Sequence, residues 1–154
     1  MIRDGVSRQI AGTPETVWSL VANVTRMAEW SPTAQRVEWV GDASGPEIGA
    51  RFRGHNRQSG VRWSRECVIT TCEPGRELTF ETVFHDAPST RWQYRFEPSD
   101  GGTRATESYE VLSMPRWVRA MRRVPGMVER SHRDARSGME LTLERMASIA
   151  EAEQ

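Results

Sequence analysis

Leu78-Thr79-Phe80-Glu81-Thr82-Val83-Phe84, then His85-Asp86-Ala87-Pro88-Ser89, then Thr90-Arg91-Trp92-Gln93-Tyr94-Arg95-Phe96: large side chains recur at every second residue in both runs, and polar, turn-forming residues separate them. Leu78, Phe80, Thr82 and Phe84 share one face of a strand, and Trp92, Tyr94 and Phe96 share one face of the next, with both faces pointing inward. Two such runs joined by a short turn read as an antiparallel hairpin. The same period of two extends from Gln35 to about Leu112, predicting strands near 35–41, 50–58, 61–73, 77–84, 90–97 and 103–112. Gly, Pro, Asp and Ser mark the joints between them. Val6, Arg8 and Ile10 alternate with Ser7 and Gln9 as a seventh, opening strand.

Two short helices fit between the first and second strands. Thr13 caps one, Pro14 takes its first position, and Val17, Trp18, Leu20 and Val21 give it an apolar face. Asn23 or Thr25 starts the other, which carries Met27, Ala28 and Trp30 and ends by Ser31 because Pro32 follows. Beyond Met114-Pro115, Pro125-Gly126 divides a helical pattern into a piece of 116–124 and a long helix of 127–150. Val128, His132, Ala135, Met139, Leu143, Met146 and Ile149 form its apolar stripe. The expected class is α+β, a seven-stranded curved antiparallel sheet wrapped around the long C-terminal helix, with a ligand cavity between sheet and helix.

Composition narrows the functions. The 154 residues are expected to form a single domain, 1–154, and the 21 basic and 21 acidic residues balance, which disfavours a general nucleic-acid binder. All 21 basic residues are arginine, so Schiff-base, pyridoxal-phosphate and Walker-type phosphate-loop chemistry lack their lysine. No apolar run approaches the roughly 20 residues of a membrane span, and the N-terminus lacks a secretory apolar region, so the expected compartment is the cytoplasm. Cys67 and Cys72 lie five apart in one strand, which predicts opposite faces and no bridge between them. His55, His85 and His132 are scattered without metal-ligand spacing, so no metal and no cofactor are expected.

The stretch Gly49-Ala50-Arg51-Phe52-Arg53-Gly54-His55-Asn56-Arg57 carries a likeness, together with Arg62-Trp63-Ser64, Glu73-Pro74-Gly75-Arg76, Trp92-Gln93-Tyr94-Arg95-Phe96-Glu97-Pro98 and Gly101-Gly102-Thr103-Arg104. With Pro14-Glu15-Thr16-Val17-Trp18 and Met27-Ala28-Glu29-Trp30-Ser31, these residues resemble the polyketide cyclase/dehydrase branch of the START-like (SRPBCC) superfamily. The resemblance covers nearly the whole chain and implies the helix-grip fold. It also implies a pocket for a small hydrophobic molecule, which some members bind or transport and others cyclise and dehydrate.

Phe80, Trp63, Trp92 and Tyr94 are the expected apolar wall of that pocket, with Tyr109 and Met139 beside them, while Asn56, Arg65, Glu107 and His132 orient polar groups. Desolvation would favour the neutral form of Glu107, fitting it to general acid or base work; the alternative is a buried carboxylate paired with arginine or hydrogen-bonded to Tyr or Trp. Arg65 offers a charged fork to a carboxylate or phenolate, or reaches solvent along the sheet edge. His132, on the helix stripe, would look into the cavity opposite Glu107 as a second proton-transfer group, or serve as a satisfied core residue. The leading expectation is binding of an aromatic, polyketide-like or lipid molecule. The rival is a cofactor-independent cyclase, aromatase or dehydratase using Glu107 and His132 as acid and base, and a lipid-transfer protein is the third reading. The segment 115–136 carries seven arginines against Glu129 and Asp134. A lid, or a solvated arginine face with Trp117, Val118 and Met121 packed on the sheet rim, is favoured there over membrane contact. A monomer and a homodimer are equally consistent with the sequence.

Overall fold

A computed structural model describes residues 2–153. In chain order the elements are β1 (Arg3–Ile10), α1 (Pro14–Ala22), a 3-10 turn (Val24–Arg26), α2 (Met27–Trp30), β2 (Ala34–Val40), β3 (Arg51–Gln58), β4 (Val61–Glu73), β5 (Glu77–Phe84), β6 (Ala87–Ser99), β7 (Gly102–Val111), α3 (Arg116–Met121) and α4 (Met127–Ala152). The seven strands form one antiparallel sheet in the order β1-β7-β6-β5-β4-β3-β2, so only the pairing of β1 with β7 joins strands distant in sequence. The helix-grip arrangement follows, with α4 lying across the concave face.

Local chemistry explains most boundaries. The Thr13 hydroxyl accepts from the Thr16 amide at 3.2 Å and Pro14 opens α1, while Ser31 ends α2 in an extended conformation before Pro32. β6 begins earlier than its alternation predicts, at Ala87. The reason is a two-residue turn in which His85 (φ 51°) and Asp86 (φ 61°) are both left-handed, so pairing starts at Phe84 with Ala87 and passes through Pro88. α3 is shorter than the expected 116–124 because the chain leaves the helix after Met121, ahead of Pro125 and the left-handed Gly126 (φ 80°).

The expected opposition of Cys67 and Cys72 is overturned. The β4–β5 register shifts between Ile69 and Thr71, and this bulge spends one residue without turning the strand over. Cys67 then pairs with Thr82 and Cys72 with Leu78, both on the concave face, and both thiols are free.

The core gathers inward residues of every layer. Ile10, Val17, Val21, Phe52, Ile69, Leu78 and Phe96 are buried against Met139, Leu143 and Met146 of α4. The far end of α4 is held by Arg26, whose guanidinium pairs with Glu29 at 2.8 Å and Glu153 at 2.6 Å. The near end projects past the core, and its buried residues begin only at Met139.

Candidate functional site

A cavity of about 380 Å3 lies between the concave face and α4, within the size range of small-molecule sites. Strand alternation builds its sheet wall. Asn56 of β3, Trp63, Arg65 and Cys67 of β4, Phe80 and Thr82 of β5, Trp92 and Tyr94 of β6, and Glu107 of β7 all line it, and so does Met139 of α4. The aromatic rings support one another: Phe80 stacks on Tyr94 with centroids 6.2 Å apart, and Trp92 leans on Tyr109 at 5.4 Å.

Glu107 sits among these rings with 3% of its surface exposed. The Tyr94 hydroxyl donates to its Oε2 at 2.7 Å. Burial pushes the Glu107 carboxyl up to about 8, against the smaller opposing pull of the Tyr94 hydrogen bond. Burial, and then the neighbouring carboxylate, hold the Tyr94 phenol well above its ordinary range. The partner of Glu107 is thus a tyrosine, not an arginine. Its second oxygen, Oε1, has no partner, and neither has the buried indole Nε1 of Trp30; among the described residues these are the two buried side-chain polar atoms left unpaired. Both residues line the cavity.

Arg65 also faces the cavity, with its guanidinium 4.7 Å from the centre of the Phe84 ring and donating to the Ser64 carbonyl at 3.0 Å. The Asn56 amide makes only a long 3.5 Å contact to the Gly54 carbonyl, which leaves its hydrogen-bonding capacity open. The Cys67 thiol is pushed up to about 12, chiefly by burial, and is a small apolar wall residue at neutral pH.

Two of the expected site residues fall elsewhere. Tyr109 stands behind Trp92, on the wall of an outer groove. His132 does not look into the cavity: it lines the same outer groove, its side chain is 54% exposed, and its Nε2 lies 3.5 Å from Asp4 of β1. The stripe on α4 is real, but its first turns reach beyond the core and over β1. Ala135 borders both spaces, Met139 belongs to the cavity, and Val128 and His132 belong to the groove.

The sequence pattern passed over Trp30, Gly54, Gly138 and Thr142, all of which line the cavity. The available signal was glycine inside regular structure. A mid-helix glycine costs about 1 kcal/mol against alanine, so Gly138 within the 26-residue α4 marks a place where the missing side chain leaves room beside the helix. A Cβ there would meet no atom within 4 Å. Trp30 gave no such signal, because only tertiary packing buries its ring while leaving its N–H unpaired.

On the solvent face of the sheet, Ser64 Oγ lies 3.0 Å from His55 Nδ1, and His55 Nε2 lies 2.8 Å from Glu38 Oε1. Ser64 is exposed and the Glu38 side chain is 46% exposed, so this chain of bonds is cross-strand pairing without the desolvated acid of a hydrolytic triad. No group of three or more metal-ligating side chains forms among the described residues, and no helix is long and apolar enough to cross a membrane.

The family model described as polyketide cyclase / dehydrase and lipid transport matches residues 1–150. A polyketide-cyclase-like protein of Corynebacterium glutamicum is similar at 29% identity and a TM-score of 0.66, over 98% of this chain and 92% of that one. A Mesorhizobium loti protein shares the fold at 18% identity and a TM-score of 0.69, over 99% of each chain. The di-domain aromatase/cyclase StfQ of the steffimycin biosynthetic pathway shares it at 13% identity and a TM-score of 0.78; 99% of this chain covers 51% of that one. No curated protein matches the sequence. The family match supports a ligand-binding or cyclase role.

Proposed function

This chain belongs to the polyketide cyclase / dehydrase and lipid transport family, and from that premise we propose that it binds a small, largely apolar molecule bearing a hydroxyl or carbonyl group, between sheet and α4. The observation that carries this reading is the pair of unpaired polar atoms, Trp30 Nε1 and Glu107 Oε1, in an otherwise aromatic and aliphatic wall. A buried polar atom left without a partner costs about 1–3 kcal/mol, which a ligand recovers by pairing with it. A ligand carbonyl accepts from the Trp30 N–H or from the neutral Glu107 carboxyl; a hydroxyl can also donate. Trp63, Phe80, Trp92, Tyr94 and Met139 grip the apolar body, and Asn56 and Arg65 meet polar groups on the cavity wall. Aromatic, polyketide-like and lipid molecules all fit this description.

The test is displacement of a fluorescent apolar probe. Trp92→Ala should weaken probe binding about tenfold through lost apolar contact, and Gly138→Leu should block it by filling the space above the sheet. Arg104→Ala, on the exposed face of β7, should bind as the unaltered protein does. Equal affinities for all four proteins would sink the proposal.

A second reading, a cofactor-independent cyclase, aromatase or dehydratase, is favoured by the buried carboxyl of Glu107, which burial pushes up to about 8. As its carboxylate, Glu107 would take the proton from the carbon beside a ligand carbonyl and pass it to the hydroxyl on the next carbon, so that the C–H and C–O bonds break, a C=C bond forms, water leaves and the carboxylate is regenerated. His132 faces the outer groove, so in this reading Glu107 carries the proton traffic with Tyr94 beside it. Glu107→Gln should keep probe binding and lose turnover; a full rate in that variant removes the enzyme reading and leaves binding intact.

A further inference from the structure

Trp117, Met121, Val124 and Val128 are 63%, 46%, 50% and 36% exposed, in a fold whose other apolar side chains are mostly buried. They run along α3 and into the first turn of α4, and no residue of α3 is buried. The expected packing of Trp117 and Met121 on the sheet rim is therefore replaced by an apolar edge facing solvent. Beneath it lies the outer groove, about 830 Å3, floored by Ile2, Tyr109 and Val111.

Arg116, Arg119, Arg122, Arg123, Arg130 and Arg133 stand on the same segment. Among the described residues none of the six is in an ion pair, whereas Arg136, further along α4, is held by Asp4 at 2.9 Å and Glu140 at 3.4 Å. A solvated face accounts for the arginines but not for the apolar residues exposed between them. A nucleic acid would match the charge, yet Trp117 offers a single ring for a base, and Met121, Val124 and Val128 offer none on which successive bases can stack. A bilayer with anionic headgroups satisfies both sets of side chains at once.

We propose that the α3 segment docks the protein on an anionic lipid bilayer, with Trp117, Met121, Val124 and Val128 entering the headgroup boundary and the six arginines meeting lipid phosphates. Ala135 borders both the groove and the cavity, so the docked edge covers a groove that one side chain separates from the cavity.

The experiment is co-sedimentation with vesicles of phosphatidylglycerol and phosphatidylcholine in equal parts, set against phosphatidylcholine alone. The protein should pellet with the anionic vesicles at low salt and be released as salt rises. Arg119→Ala and Arg123→Ala should each weaken binding about fivefold, and Trp117→Ala should weaken it while circular dichroism stays unchanged. Equal pelleting with both vesicles, no pelleting at low salt, or variants that bind like the unaltered protein would overturn docking. So would a face that instead takes up single-stranded RNA or a second copy of the chain. Probe binding in the cavity is measured without lipid, so either proposal can fail alone.

Discussion

Glu107 makes the stability of this protein depend on pH in a direction opposite to that of most carboxylates. Its carboxyl is pushed from an ordinary 4.5 up to about 8 in the folded chain. Because the folded pKa exceeds the unfolded one, the neutral carboxyl stabilises the fold fully below about 4.5, and that contribution is lost as pH rises toward about 8. At about 1.4 kcal/mol per pH unit the whole loss amounts to about 5 kcal/mol, large against a typical domain stability of about 5–15 kcal/mol. Glu107→Gln removes the titration while keeping an acceptor for the Tyr94 hydroxyl. Urea unfolding of both proteins across the range should show the unaltered protein falling steadily relative to Glu107→Gln between about pH 5 and about pH 8, then running parallel to it. A stability difference that stays flat with pH would refute the claim that this carboxyl is held neutral by burial.

Tyr94→Phe removes the one hydrogen bond that favours the charged form of Glu107, so the fall in stability should begin at the same pH, deepen and run on to higher pH; a fall that ends at lower pH would contradict it. Gly138→Ala adds a methyl where a Cβ meets nothing within 4 Å, so it should stabilise α4 by about 0.5–1 kcal/mol in urea unfolding, and a loss of stability would mean the helix stands closer to the sheet than described. Gly102→Ala should destabilise by about 1–3 kcal/mol, because its Cβ would lie 2.7 Å from the Ile10 carbonyl oxygen across the β1–β7 pair; an unchanged Tm would argue against that close approach.

The sequence alone carried the strands, the break at Pro125-Gly126 and the inward faces of β4 to β7, because a period of two and a handful of turn residues are local properties of the chain. It also led to Trp92, Tyr94, Phe80 and Glu107 as neighbours on one surface, since alternation along paired strands determines which side chains can meet. Three matters were decided only by tertiary structure. A single bulged residue in β4 reversed the side taken by Cys72, and no pattern of apolar residues marks an unpaired backbone position. How far α4 reaches past the core placed His132 in the outer groove rather than opposite Glu107, although its helical stripe was legible. The third is the pairing that gives the cavity its chemistry: the Tyr94 hydroxyl on Glu107, with Oε1 of Glu107 and Nε1 of Trp30 left free, depends on burial, and burial comes from residues that lie far apart in the sequence.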